Sequence, residues 1–267
     1  MTILNQLSSL SGRRALITGA TGGLGKVFAE TLASLGADLI LVDLANTQLK
    51  EFAAELEIQW SVNVQTIECD LEAQDQRNQL ITEVLASGKE LGILVNNAAL
   101  VGSSDLVGWA VPFEEQSIDT WRRAIEVNLT AVFDLCQGFT PVLKATQNAS
   151  IINIASIYGL NAPDWSLYEG TSLGNPAAYG VSKGGLIQLT RWLSTTLAPN
   201  VRVNAISPGG IFRNQPDEFV KKYSSRTPLN RMATENDFRG AIAFLATDMS
   251  QYVTGQIISV DGGWGVH

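Results

Sequence analysis

Histidine is almost absent from this sequence: the only one is the final residue, His267. That scarcity removes Ser-His-Asp and Cys-His catalysis and histidine-built zinc sites, so no metal centre is expected and acid–base chemistry falls to other side chains. Cysteine is scarce as well. Cys69 and Cys136 sit inside apolar segments, one ending an expected strand and one within an expected helix, and they read as reduced core thiols rather than a disulfide framework. No continuous apolar stretch approaches the roughly 20 residues that cross a bilayer. The opening MTILNQLSSLSGRR places its basic residues after its mildly apolar part, the reverse of a secretory signal. A cytoplasmic protein with no membrane partner is expected. Positive charge is also in deficit, since 18 Lys and Arg against 26 Asp and Glu leave a net charge of −8. With no basic stripe in the chain, nucleic-acid phosphates would be repelled. Linkers rich in proline and glycine, repeats and low-complexity tracts are missing too. With 45% hydrophobic residues in 267, one large core in a single domain is expected.

What the chain does have is rhythm. Apolar runs of strand length at 13–19, 37–43, 63–70, 91–99, 150–156, 201–207 and 255–263 alternate with helical periodicity at 26–36, 47–56, 73–87, 118–145, 177–197 and 235–247. Strands apolar on both faces need cover on both faces, which a parallel sheet between two helical layers provides. The fold class expected is α/β, doubly wound. Residues 100–117, 157–176 and 208–232 read as irregular and each follows a strand, where open α/β sheets hold their ligands.

The turn after the first strand reads TGATGGLG (18–25), with glycines at 19, 22, 23 and 25 ahead of a helix. Glycine lets the backbone turn tightly and approach a pyrophosphate, and the helix N-terminus supplies free N–H groups. Dense glycines are often only a turn. Asp43 supplies context: it ends the second strand about 20 residues on, where a carboxylate accepts hydrogen bonds from an adenosine ribose and repels a 2′-phosphate. Leu44 follows it instead of an arginine, which favours NAD(H) over NADP(H).

Seven motifs run in order along the chain: TGATGGLG, CDL (69–71), NNAA (96–99), EVNL (126–129), IASIYG (154–159), YGVSK (179–183) and ISPGG (206–210). Together they resemble the short-chain dehydrogenase/reductase family. The resemblance implies a Rossmann-type fold with a mainly parallel seven-stranded sheet, an NAD(P)(H) cofactor and a homotetramer or homodimer. By motif it places Gly19, Gly23, Leu24 and Gly25 at the pyrophosphate, and Asp70 with Leu71 at the adenine. Asn97 and Ala98 fall along the ribose, and Pro208, Gly209 and Ile211 near the nicotinamide. Ala99 stands where the family usually has glycine. Arg213 stands where it often has threonine, which puts in doubt the usual threonine contact with the nicotinamide amide.

Hydride transfer to or from an alcohol carbon requires a proton to move at the same oxygen. A free tyrosine, with a pKa of about 10, is a poor base at neutral pH unless a nearby ammonium favours its phenolate. An i,i+4 tyrosine and lysine also pack on ordinary helices, for a few tenths of a kcal/mol. Of the five tyrosines, however, only Tyr179 has lysine at +4; Ala162, Ser172, Thr227 and Gln256 follow the others. The resemblance makes Asn128, Ser156, Tyr179 and Lys183 the catalytic residues. Tyr179 exchanges the proton, Lys183 lowers its pKa and grips the ribose, Ser156 orients the oxygen, and Asn128 holds a water linking Lys183 to solvent.

Ser156 and Tyr179 are separated by 22 residues, more than the family usually shows. The extra length brings Asp164, Trp165, Tyr168, Glu169, Thr171 and Ser172 near the centre. Aromatic faces beside carboxylates and hydroxyls suit a polyhydroxylated ring; a surface loop or subunit contact is the other reading. The insertion, with YEGTS and SPGGIFRNQPDEF, is similar to the branch of the family found in bacterial surface-sugar and flagellin modification. It implies a sugar or amino sugar substrate, whose negative group Arg213, Lys221, Lys222 and Arg226 could meet unless they form a solvated basic face. A reductase of 3-oxoacyl thioesters or small ketones is the enzymatic alternative. A nucleotide-sensing protein that kept the fold without the chemistry is the non-enzymatic one.

Overall fold

The computed structural model describes residues 2–101, 104 and 106–266. Gly102, Ser103 and Asp105 of the 100–117 segment lie outside the described residues, as do Met1 and the lone histidine, His267. Seven strands form one sheet: β1 (Arg14–Thr18), β2 (Asp38–Asp43), β3 (Val64–Glu68), β4 (Ile93–Asn96), β5 (Ala149–Ile154), β6 (Val201–Pro208) and β7 (Ile257–Val260). Their order is β3-β2-β1-β4-β5-β6-β7, and every neighbouring pair is parallel. Strand order reverses between β1 and β4, and at such a switch point a crevice opens at the carboxyl ends.

Successive side chains of a strand point to opposite faces, and the core divides accordingly. Leu16, Ile40 and Leu94 share register across β1, β2 and β4 and join Leu80, Phe139 and Leu186 on one face. Their successors Ile17, Leu41 and Val95 join Phe28, Phe52 and Ile242 on the other. Helices α4 (Gln74–Ala86), α6 (Ala131–Ala145) and α8 (Ala177–Thr196) cover the first face; α2 (Gly23–Ser34), α3 (Leu49–Trp60) and α10 (Arg239–Ala246) cover the second. Among the described residues no helix is long and apolar enough to cross a membrane.

Expected elements recur, with instructive differences. The helix read over 118–145 is α5 (Ile118–Ile125), a π-helical turn at Glu126–Thr130, and α6. Apolar periodicity runs through the π turn without marking it. The segment read as irregular over 208–232 contains α9 (Asp217–Arg226), and 157–176 contains the single turn α7 (Ile157–Leu160) and a 3₁₀ turn at Trp165–Leu167. A short N-terminal helix, α1 (Ile3–Ser8), was not expected, and α2 starts three residues early because Gly23 and Gly25 lie inside its first turn. The last strand stops at Val260, ahead of Gly262 and Gly263, whose positive φ breaks the extended backbone.

Candidate active site

A cleft of about 820 Å³ opens at the carboxyl ends of the strands. Its first wall is the glycine-rich turn. Gly19 has φ of 62°, and a Cβ there would stand 2.9 Å from Ala98 Cα. Only glycine meets both the left-handed backbone and the close approach. Asn97 ties the turn down, its Nδ2 donating to the Thr18 and Gly19 carbonyls at 2.9 Å each. The N–H groups of Asn97 and Ala98 donate to Thr18 Oγ1 at 3.0 and 3.1 Å. Gly22 caps α2 and Gly23 begins it, and with Leu24 they line the cleft, which places the free N–H groups of a helix start beside it.

Gly25 does not line the cleft. It is buried beneath the turn, and a Cβ at this position would lie 2.0 Å from the Gly19 carbonyl oxygen. The expectation of Gly25 at the pyrophosphate therefore gives way to a packing role, in which it lets α2 approach the end of β1.

Asp43, the last residue of β2, is held by the turn it faces. Its Oδ2 accepts from Thr21 N (2.8 Å) and Thr21 Oγ1 (2.6 Å), and its Oδ1 accepts from Leu44 N (2.8 Å). A carboxylate oxygen accepts about two bonds, so Thr21 fills Oδ2 while Oδ1 retains capacity for a ligand hydroxyl. Thr21 was not singled out by sequence, where it reads as a spacer between glycines. Asp70 and Leu71 follow β3 and, with Ala98, line the same end. Burial pushes the Cys69 thiol up to about 11 and the Cys136 thiol up to about 12, so both stay protonated core groups.

At the other end, β5 delivers Ser156 just beyond its last residue, where it caps α7 by accepting from Tyr158 N at 3.2 Å. Tyr179 and Lys183 rise one helical turn apart on α8, with Lys183 Nζ 5.9 Å from the Tyr179 ring centre. Ser156, Tyr179, Lys183, Pro208, Gly209 and Ile211 all line the cleft. Lys183 is 2% exposed and donates to the Ile154 carbonyl at 2.6 Å; burial draws its pKa down to about 8. The Tyr179 phenol moves the other way from the expected direction. Desolvation raises its pKa, while the Ser156 hydroxyl and the more distant Arg213 charge pull it down. In the protein alone the phenol is therefore protonated at neutral pH.

Asn128 occupies the π-helical turn and is 1% exposed. Its side chain does not point at Lys183. Nδ2 donates to the Leu100 carbonyl (3.0 Å) and to Ser182 Oγ (3.1 Å), and Oδ1 accepts from Leu100 N (2.7 Å). Both amide hydrogens are thus spent in clamping the chain after β4 onto α8.

The 157–176 insertion folds onto α9 over the cleft. Tyr158 and Tyr168 share a hydrogen bond of 2.6 Å between hydroxyls, and Asn175 Nδ2 donates to the Tyr168 hydroxyl at 3.3 Å. Arg226 pairs with Asp164 and lies over the Trp264 ring. Lys222 donates to the Glu169 carbonyl and pairs with Glu218. These two cations are staples between the insertion and α9, and Lys221 is exposed away from the cleft. Of the four basic residues read as candidates for an anionic substrate, only Arg213 lines the cleft.

The family model described as enoyl-(acyl carrier protein) reductase matches residues 19–265. The chain belongs to the short-chain dehydrogenase/reductase family. A tropinone reductase homolog of Arabidopsis thaliana is 36% identical over 273 residues, with 97% of this chain and 94% of the relative covered. Post-translational flagellin modification protein A of Campylobacter coli is 29% identical, with 96% and 100% covered. Among solved structures, a short-chain dehydrogenase from Leptospira borgpetersenii with bound NAD+ has a TM-score of 0.85 at 29% identity, covering 99% and 96% of the two chains. A putative NAD(P)-dependent gluconate 5-dehydrogenase from Beutenbergia cavernae with bound NADP has 0.84 at 32% identity, covering 98% and 100%. The chain is thus similar both to dehydrogenases that bind NAD+ and to ones that bind NADP.

Proposed function

We propose that this short-chain dehydrogenase/reductase interconverts a secondary alcohol and a ketone with NAD(H), and that the substrate is a sugar or amino sugar derivative. One observation carries the reaction class: Ser156, Tyr179 and Lys183 converge at one end of the cleft whose other end is the glycine-rich turn and Asp43. The residues present fit a nicotinamide dinucleotide, with the start of α2 suited to a pyrophosphate, Asp43 to a ribose, and Pro208, Gly209 and Ile211 to the nicotinamide end. When bound, the cofactor supplies or accepts the hydride.

Tyr179, protonated in the protein alone, donates its proton to the oxygen of an incoming ketone, and Ser156 holds that oxygen by hydrogen bonding. Lys183 carries a buried positive charge below pH of about 8, which stabilises the phenolate left behind. In the reverse direction that phenolate takes the proton of the alcohol. NAD(H) is favoured because Asp43 offers negative charge at the ribose, and residues 43–47 (DLANT) include no cation for a 2′-phosphate.

Support for a polar ring comes from the polar residues Tyr158, Tyr168, Asn175 and Gln215 among those that line the cleft. Likeness to the flagellin modification protein points the same way. Leu173, Phe219 and Met232 line the same cleft and, with the acyl-carrier description of the matching family model, favour the second reading, a 3-oxoacyl thioester reductase. The test is NAD+ and NADH turnover across sugar alcohols, amino sugars and sugar phosphates beside an acyl thioester. Turnover confined to the thioester would overturn the sugar assignment.

A further inference from the structure

Arg213 stands outside the roles assigned so far. It follows β6 by five residues, yet its guanidinium reaches back across the cleft to the start of α2. A Cβ built on Gly23 would stand 2.8 Å from Arg213 Nη2 and 2.9 Å from Glu235 Oε1. Arg213 Nε donates to the same Glu235 oxygen at 3.0 Å. A cation and an anion, brought from two distant segments, thus arch over the first residue of a 12-residue helix whose first turn has no acidic side chain. The positive end of α2 disfavours an unpaired guanidinium there. Glu235 supplies the anion that the pair and the helix end both favour.

We infer that Arg213 is a ligand of the cofactor pyrophosphate and that Glu235 is the competing anion which holds the guanidinium over the glycine-rich turn until the cofactor arrives. This inference rests on the dinucleotide reading of the cleft. A pyrophosphate at the start of α2 would meet the N–H groups, the guanidinium and the Glu235 carboxylate together. Two of the three attract it and the third repels it. Binding therefore exchanges one ion pair for another, with Arg213 keeping a partner throughout. Affinity is set by the difference between the two partners, so removing either member of the pair moves it in opposite directions. Arg213 is thereby given to the cofactor and withdrawn from the negative group of a substrate.

The experiment measures equilibrium binding of NADH, by its fluorescence, and of ADP-ribose, by calorimetry, to the wild type, Arg213→Gln and Glu235→Gln, with melting curves to establish folding. Arg213→Gln should weaken both ligands by roughly tenfold, the scale of one charge-assisted contact made in exchange for another. Glu235→Gln should tighten both by roughly threefold, as expected for removal of one repelling charge near the surface. A loss for NADH without one for ADP-ribose would place Arg213 at the nicotinamide and overturn the inference. Unchanged dissociation constants in Arg213→Gln would also overturn it, and equal weakening by both variants would reduce the pair to a structural brace. If the wild type bound neither ligand, the dinucleotide reading itself would fall, a result distinct from all of these.

Discussion

Replacing Lys183 by methionine should make the protein more stable while abolishing its turnover, and the stability gain should disappear in alkali. The ammonium is 2% exposed, its hydrogen-bonded partner is a neutral carbonyl, and burial lowers its pKa from 10.5 to about 8. Each pKa unit is worth 1.36 kcal/mol, so keeping this lysine charged inside the fold costs about 3 kcal/mol. The sign follows from proton counts. Between pH of about 8 and 10.5 the unfolded chain holds a proton on this lysine that the folded chain has released. Wild-type stability therefore rises across that window, and the penalty is fully present below it. Methionine removes the penalty but leaves the Ile154 carbonyl unpaired, at a cost of about 1 kcal/mol. The net gain near pH 6.5 is about 2 kcal/mol, or roughly 4–8 °C in melting temperature for a domain of this size. Above pH 10.5 only the lost hydrogen bond remains, and the variant should fall slightly below the wild type. Melting of both proteins without cofactor at pH 6.5 and 10.5 tests this. A variant no more stable at pH 6.5, or a gap that ignores pH, would refute the claim that Lys183 is a buried charge kept at the expense of stability.

Two further substitutions probe the cofactor end. Asp43→Asn removes the negative charge at the proposed ribose site, so the ratio of NADPH to NADH dissociation constants should drop by roughly tenfold, the equivalent of 1.4 kcal/mol of lost repulsion; an unchanged ratio would show that Asp43 does not select the cofactor. Gly25→Ala forces a methyl into the space 2.0 Å from the Gly19 carbonyl oxygen, so the denaturation midpoint in urea should shift by the equivalent of about 1–3 kcal/mol, and an unshifted midpoint would mean that α2 and the turn are not packed as described.

Much of this architecture is legible in the sequence because its signals are local. Strand-length apolar runs fix the sheet, and one helical turn between Tyr179 and Lys183 fixes their common face. Signals that depend on distant partners are not legible in the same way. Glycine at position 25 reads as a phosphate-binding residue until the Gly19 carbonyl is found against it. Asn128 sits in an unbroken apolar period, so neither the π turn nor its bonds to Leu100 and Ser182 could be read from spacing. Arg226 and Lys222 look like free cations beside an anion site, and only the folding of residues 157–176 onto α9 shows that Asp164 and Glu169 have taken them. Arg213 and Glu235 are 22 residues apart, and nothing local marks them as a pair over the start of α2. The downward pull expected on Tyr179 is offset by desolvation, a property of the assembled cleft rather than of any neighbour in sequence.

The central claim is that Tyr179 moves the proton in a nicotinamide-dependent alcohol–ketone reaction. Its most direct test is the steady-state rate of Tyr179→Phe on the best substrate of the panel, measured beside its NADH dissociation constant. General acid–base catalysis contributes roughly 100- to 10,000-fold, so turnover should fall by that much while NADH binding changes little. Turnover equal to that of the wild type would contradict the account.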